Sequence, residues 1–185
     1  MIRGQARRLT ISETQLIGAW FFLKAMASEY LTSRDTRFFN LEDGKHLRAT
    51  LRPPDRTRIW MGRYVGNREN AGWFMDRGGP RQVSDDPPAA VLWHSVTYSI
   101  GQVLLHLFGV SAPVPLIPLG NLEKPPTISF RFDWAPGDWR SALFRIWPSP
   151  SVPIAWPPEK AFNDDGFVYL AQRWQQQDTS ANPPP

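Results

Sequence analysis

The longest periodic segment of the chain predicts a central helix over residues 87–109. Apolar residues recur there at helical spacing, and a polar stripe lies opposite them at steps of four, three and four. Asp85 and Asp86, followed by two prolines, favour a helix start, and Gly109 favours a helix end. The segment does not keep the period of two that a strand requires. The sequence therefore predicts a helix that backs a small sheet.

The predicted central helix buries Ile100 in the core and turns Ser99 toward solvent. Ile100→Asp should then unfold the domain, because an unpaired charge would be buried, whereas Ser99→Asp should be tolerated.

An earlier helix is predicted over residues 13–31, with Ser12 and Gln15 as its capping box. Apolar residues lie on most sides of this helix, and they include Leu16, Trp20 and Leu23. A helix of this kind is either buried or docks on a partner.

Alternating patterns between the two helices predict four strands, at residues 37–41, 46–52, 58–65 and 72–76. Asp43 and Gly44 lie between the first two, and such a dipeptide between alternating runs is a strong hairpin signal. In the second strand Leu47, Ala49 and Leu51 share one face, and the residues between them form a polar, basic face.

The second half of the chain is rich in proline and aromatic residues. Residues 127–134 alternate clearly and predict a strand, and residues 139–147 predict a strand or a short helix. The prolines of residues 148–158 predict an extended loop. Residues 165–176 carry apolar side chains at helical spacing and predict a last helix.

These elements, in the order α-β-β-β-β-α-β-β-α, predict an α+β fold with a mainly antiparallel sheet and helices packed on one face. The 185 residues suit one domain, predicted over residues 1–176. Residues 1–10 are predicted to be a mobile basic arm, and residues 177–185 a disordered proline-rich tail.

Charge is spread unevenly along the chain. The net charge is +4, but residues 34–81 carry ten Arg and one Lys against six acids, and residues 82–185 carry an excess of acids. Arginine suits bidentate contacts to phosphate and stacking on aromatic rings. The first half therefore suggests a nucleic-acid contact, although a general bias toward arginine in the composition would look the same.

The predicted hairpin face and the segment after it give the candidate nucleic-acid residues. Arginines would neutralise phosphates there, and an aromatic ring would stack on an unpaired base, so single strands are favoured over duplex. A solvated charged face is the plain alternative. The candidates are Lys45, His46, Arg48, Arg52, Arg56, Arg58, Trp60, Arg63 and Arg68.

Nine Trp residues are a heavy aromatic load for this length. Tryptophan and arginine are the usual anchors of protein interfaces. Trp139, Trp147, Trp156 and Trp174 are therefore the candidates for contact with a protein partner, although most aromatic–arginine pairs also fit an ordinary core with arginine on its solvent side.

The sequence carries no catalytic or metal-binding pattern. The chain lacks cysteine, and His46, His94 and His106 do not stand at metal-ligand spacing. No phosphate-binding loop or nucleophile elbow occurs. We therefore predict no catalytic residue, no metal and no cofactor. No apolar run approaches the length of a membrane span, so no membrane partner is expected. The expected location is cytoplasmic.

Three hypotheses for function follow. The first is a non-enzymatic accessory or assembly subunit, which contacts nucleic acid through the basic sheet surface and docks a protein through the aromatic and proline-rich surface. The second is a pure protein–protein interaction module of adaptor, chaperone or inhibitor type. The third is an enzyme on an unrecognised fold. The oligomeric state stays open.

Overall fold

The structure, a computed structural model, describes residues 6–32, 37–67, 72–78, 93–110, 142–168 and 170. A helical segment near the C-terminal end of this part lies at residues 164–168 and 170. The other helices and strands follow the chain in the order β1 (Arg7–Leu9), α1 (Ile11–Thr32), α2 (Leu41–Thr50), β2 (Thr57–Tyr64), β3 (Gly72–Gly78), β4 (Trp93–Ile100), β5 (Val103–Val110), β6 (Leu143–Trp147), β7 (Ile154–Trp156) and β8 (Ala161–Phe162).

One mainly antiparallel sheet organises the fold. Its strands lie side by side in the order β3-β4-β5-β2-β6, and the short β8 pairs with β2 in parallel. A separate two-stranded sheet joins β1 to β7. Helix α1 packs across β5 and β6. The predicted class, a single α+β domain with a mainly antiparallel sheet, is confirmed.

The two faces of the sheet differ in what covers them. We call the face toward α1 the helix face and the opposite one the far face. The buried residues of the helix face come from α1, from α2 and from four strands of the sheet, and they include Phe21, Phe22, Ala25, Leu47, Ile59, Met61, Val96, Leu105, Leu107 and Ile146. A smaller cluster, on the far face at the end of β2, contains Tyr64, Leu104, Phe162, Phe167 and Leu170.

The first predicted helix is confirmed, and it begins two residues earlier than predicted. The Thr10 hydroxyl accepts a hydrogen bond from the Glu13 N–H at 3.2 Å, and the Glu13 carboxylate accepts one from the Thr10 N–H at 2.8 Å. This reciprocal pair is a capping box, and it replaces the box predicted at Ser12 and Gln15.

The predicted central helix is wrong for the residues that the structure describes. Residues 93–109 belong to β4 and β5, which form an antiparallel hairpin. Ile100 pairs with Val103, so Gly101 and Gln102 are the two-residue loop. Gly101 has a φ of +53°, and glycine at the first loop position is typical of a type II′ turn. Residues 87–92 of the prediction lie outside the described residues.

The helical periodicity arose because β4 and β5 are buried on both faces. Apolar residues need not alternate strictly with polar ones in such strands, and a short apolar run fits a buried strand as well as a helix. The mutational prediction is reversed as a result, since Ser99 is buried and Ile100 is exposed.

The predicted hairpin over residues 37–52 is also wrong, because residues 41–50 form α2. The Asn40 side chain accepts from the Asp43 N–H at 3.0 Å, and the Asp43 carboxylate accepts from the Asn40 N–H at 2.9 Å. Leu51 ends the helix in the left-handed region, with a φ of 53°. A β-carbon on Gly44 would lie 3.3 Å from Cε of Met26, so glycine lets α2 approach α1 closely.

The remaining predictions have mixed outcomes. Strands β2, β3 and β6 agree with the predictions at residues 58–65, 72–76 and 139–147. The predicted loop at 148–158 contains β7, and the predicted mobile arm contains β1. The predicted last helix is helical at residues 165–168 and 170. The rest of that helix, the strand at 127–134 and the tail at 177–185 lie outside the described residues. The element order therefore differs from the predicted one.

Candidate functional site

Helix α1 exposes a row of large apolar side chains on the side that points away from the sheet. We call this row the apolar stripe. It consists of Leu16 (58% exposed), Trp20 (38%), Leu23 (54%), Ala27 (exposed), Tyr30 (51%) and Leu31 (83%). The residues that the structure describes leave this row open to solvent. Contiguous apolar patches of this kind mark interaction sites in soluble proteins.

The stripe has the spacing of a helix–helix contact. Residues 16, 20, 23, 27 and 30 follow one another at steps of four, three, four and three. At 3.6 residues per turn, these positions stay within an arc of about 80°. This is the a/d pattern through which helices interlock in coiled coils. The opposite side of α1, including Phe21, Phe22 and Ala25, is buried against the sheet.

The charged side chains at the edges of the stripe already contact aromatic rings of the stripe or pair with each other. The Lys24 Nζ atom lies 5.8 Å from the centroid of the Trp20 ring, and the Arg37 guanidinium lies 3.9 Å from the Tyr30 ring. Cations placed over aromatic faces are attracted to them. The Glu13 carboxylate pairs with Arg7 at 2.8 Å and caps the helix. The stripe itself is uncharged, with a polar rim.

A carboxylate and an imidazole are fully buried on the helix face. Glu29 Oε1 lies 3.3 Å from His94 Nδ1, and both side chains have no solvent exposure. The two carboxylate oxygens accept hydrogen bonds from the backbone N–H groups of Phe38 and Phe39, at 3.1 and 2.9 Å. A catalytic acid or base must reach its substrate. This pair is sealed from solvent, and it instead fixes the segment that leads into α2.

Arg56 extends this network toward α2. Its guanidinium donates to the Asp43 carboxylate and lies 4.6 Å over the Phe38 ring. Asp43 also caps α2, so one carboxylate joins the helix start to the segment before β2. Arg56 was predicted as a phosphate ligand, and the structure places it largely buried in this ion pair.

The far face carries a second buried polar group. Thr97 Oγ1 lies 2.9 Å from Nδ1 of His106, and the Trp60 ring lies 5.7 Å from the imidazole. Burial lowers the pKa of His106 to about 3. The imidazole is therefore neutral at physiological pH and serves as a hydrogen-bonding partner inside the sheet.

Three of the predicted nucleic-acid residues, Arg58, Trp60 and Arg63, lie on β2, but not on the same face. Arg58 and Trp60 point to the far face, because their cross-strand partners are Phe108 and His106. Arg63 is half-buried near the strand end, and the alternation of the strand places it on the helix face. Arg58 donates to the carbonyls of Asp55 and Thr57 at 2.7 Å each. Burial, and then the nearby Arg145 guanidinium, lower the pKa of Arg58.

The other candidates lie on or beside α2. Lys45, His46 and Arg48 are exposed on the helix, and Arg52 follows it, also exposed. They belong to a helix rather than to the face of a hairpin, so the basis of that prediction is wrong. Since α2 packs against α1, these residues and Arg58 lie on opposite sides of the sheet.

Arg68 lies outside the described residues, as do Trp139 and Trp174. The other two predicted partner-binding residues, Trp147 and Trp156, are buried in the core. Trp147 also donates to the Pro54 carbonyl at 3.4 Å. Binding through any of these residues stays a prediction.

Sequence reasoning identified the apolar residues of α1 but not the division into a core side and an exposed stripe. The four–three spacing was the available signal. Glu29 could not be identified from a local sequence pattern, because the two backbone N–H groups that donate to its carboxylate lie nine and ten residues further along the chain.

Other site types are not found in this part of the chain. Among the described residues, no group of three or more His, Asp or Glu side chains could hold a metal ion. Within the same ranges, no helix has both the length and the hydropathy needed to cross a membrane. Compared with family models, curated proteins and solved structures, the chain matches none of them.

Proposed function

We propose that the protein is a protein-interaction module, which binds an apolar helix of a partner along the stripe of α1. The observation that carries this proposal is the exposed four–three spacing of Leu16, Trp20, Leu23, Ala27 and Tyr30 on a helix whose other side already holds the sheet.

The chemistry of the stripe fits this role. Leucine supplies apolar area, and tryptophan and tyrosine are enriched at the centres of protein interfaces. The cations at the edge, Lys24 and Arg37, supply the polar rim that surrounds such a centre. A partner helix with apolar residues at the same spacing would fill the grooves between these side chains.

Photo-crosslinking in cells that express the protein tests the proposal, with a photo-reactive amino acid in place of Leu31 at the end of the stripe. We expect a covalent protein adduct from Leu31 and none from Val152, which is 65% exposed on the loop before β7. The adduct should disappear when Leu23→Glu is added, because a carboxylate would enter the apolar contact. Adducts of equal yield from both probes, or none from Leu31, would contradict the proposal.

Contact with nucleic acid is a second candidate function. The observation in its favour is that Arg48 and Arg52 are exposed and form no ion pair with the residues that the structure describes, whereas Lys45 pairs with Glu42 at 2.7 Å. Two such cations, one in the last turn of α2 and one just after the helix, suit phosphate contacts without base readout. Binding would then weaken steeply with salt, unlike binding through the stripe.

A further inference from the structure

We infer that the helix that occupies the stripe is α1 of a second copy of this chain, so that the protein forms a two-fold symmetric dimer. This inference rests on the proposed function and names the partner. It follows from the spacing, charge and area of the stripe.

The spacing of the stripe is complementary to itself. A two-fold interface brings the same patch of both copies together. Residues 16–30 cover two heptads, a length of about 21 Å at 1.5 Å per residue. Over this length a straight helix drifts by only about 20° per heptad from the ideal repeat, so the seam stays in contact without strong supercoiling. Overlap is greatest when the axis passes the middle of the stripe, at Leu23.

The charge of the stripe also permits self-association. Its six residues are uncharged, and the ionised groups at its edges are Lys24, Arg37 and Glu13, of which Glu13 is paired with Arg7. A strongly basic or acidic face would repel its own copy. A membrane surface is a poorer match, because interfacial helices carry many Lys or Arg on their polar face, and Lys24 is the one basic residue of α1.

The area is sufficient for a dimer. From the exposed fractions of its five large side chains, the stripe offers about 600 Å² per copy, when such side chains expose about 150–250 Å² in full. Two copies would bury about 1,200 Å², the lower end of the range for stable specific interfaces. We therefore expect a dimer that dissociates on dilution.

Among the residues that the structure describes, none covers the stripe side of α1, so this side is open to a second copy. A β-carbon on Gly18, on the other side of the helix, would lie 3.7 Å from Cβ of Trp147 in the sheet. The stripe lies opposite this contact and points away from the sheet. Two copies would thus stack as sheet, helix, helix and sheet, and the four layers would share α1 and its copy as their centre.

Sedimentation velocity of the purified full chain, at about 1–200 µM, tests the inference, because the population of a dimer depends on concentration. We expect a monomer–dimer equilibrium. Leu23→Glu should raise the dissociation constant at least about 100-fold, since each dimer loses two buried leucines and gains two carboxylates in an apolar seam. Val152→Glu is the matched control and should leave the constant unchanged. Circular dichroism should show Leu23→Glu folded, because Leu23 is exposed in the single chain.

The absence of cysteine from the chain allows a second measurement. Under mild oxidation Leu23→Cys should form a disulfide-linked dimer, because the two copies of residue 23 meet near the axis, and Val152→Cys should stay monomeric. A wild-type dimer that Leu23→Glu does not weaken would overturn this inference, because the two copies would then meet through another surface.

Two further outcomes would overturn the inference and leave a role for the stripe. The first is a purified protein that stays monomeric at every concentration, while the Leu31 probe still yields an adduct with a different protein in cells. The second is a monomer that co-sediments with vesicles of equal phosphatidylcholine and phosphatidylglycerol, and loses this binding in Leu23→Glu. The first outcome keeps the proposed function, and the second replaces it with membrane binding.

Discussion

Ser99→Asp should unfold the protein at neutral pH, whereas Ile100→Asp should leave it folded. The two positions are neighbours at the end of β4, so the variants place the same charge one residue apart. Ser99 is 1% exposed and lies across from Leu104, which belongs to the far-face cluster. Ile100 is 41% exposed beside the turn at Gly101.

The expected magnitudes differ by several kcal/mol. A buried carboxylate either stays charged, at a cost of several kcal/mol, or takes up a proton, which at pH 7 costs about 4 kcal/mol for a pKa of 3.9. The extra atoms of aspartate in a packed site add about 1–3 kcal/mol. Ser99→Asp should therefore lose about 4–7 kcal/mol, comparable to the whole stability of many domains. Ile100→Asp should lose about 2 kcal/mol, from the partial burial of the isoleucine side chain and from β-propensity.

Urea unfolding followed by circular dichroism measures both variants against wild type. The comparison should be made at pH 7 and again near pH 4, because burial raises the pKa of a carboxyl in the folded state. The folded Ser99→Asp variant then binds the extra proton more tightly than its unfolded chain, and its deficit relative to wild type should shrink as pH falls. A larger loss for Ile100→Asp than for Ser99→Asp would refute the hairpin and restore the helix predicted over residues 87–109.

Three further predictions test the buried polar groups and the basic helix. Glu29→Ala should lose about 2–5 kcal/mol in urea unfolding, because two buried backbone N–H groups lose their acceptor, whereas the exposed Glu42→Ala should change stability by less than about 0.5 kcal/mol. Since burial lowers the pKa of His106 to about 3, the unfolded chain binds more protons between that pH and about 6.5, and stability falls as pH drops through this window. His106→Gln should make this fall in the free energy of unfolding shallower by up to about 1.4 kcal/mol per pH unit. Parallel plots of stability against pH for the variant and wild type would contradict this. If nucleic acid binds α2, replacing Arg48 and Arg52 by alanine should reduce the salt dependence of single-stranded RNA binding by about one unit of slope per lost contact, with unchanged stability. Fluorescence anisotropy measures this slope, and an unchanged slope counts against the contact.

Much of the fold could be predicted where one pattern had no competitor. Helix α1 is long and carries its own cap, and β2 lies between clear turn signals. The sequence pattern of the β4–β5 hairpin could not be distinguished from that of a helix. Both faces of the hairpin are buried, and the serines of one face are enclosed by protein rather than exposed to solvent. In α2, Asp43 and Gly44 suggested a turn, while the Asn40 cap that decides the structure is equally readable in the sequence.

The candidate site was less predictable than the fold, for two physical reasons. Helix α1 is apolar on two sides, and only the packing of Phe21, Phe22 and Ala25 on the sheet determines which side is left open. The basic patch depended on the alternation of a strand. When residues 41–50 form a helix instead, Arg48 and Arg58 no longer share a surface.

Because core residues and stripe residues follow each other along α1, neighbouring substitutions separate folding from association. Phe22 is fully buried and Leu23 is exposed. Phe22→Ala should cost about 3–5 kcal/mol at any protein concentration, because it leaves a cavity in the core. Leu23→Ala removes a similar apolar group without a cavity in the single chain. If the dimer forms, the effect of Leu23→Ala on the unfolding midpoint should grow with protein concentration, because dimerisation stabilises wild type by mass action more than it stabilises the variant. If the effect of Leu23→Ala is the same at all concentrations, the leucine stabilises its own chain, and the stripe is part of the fold rather than a docking surface.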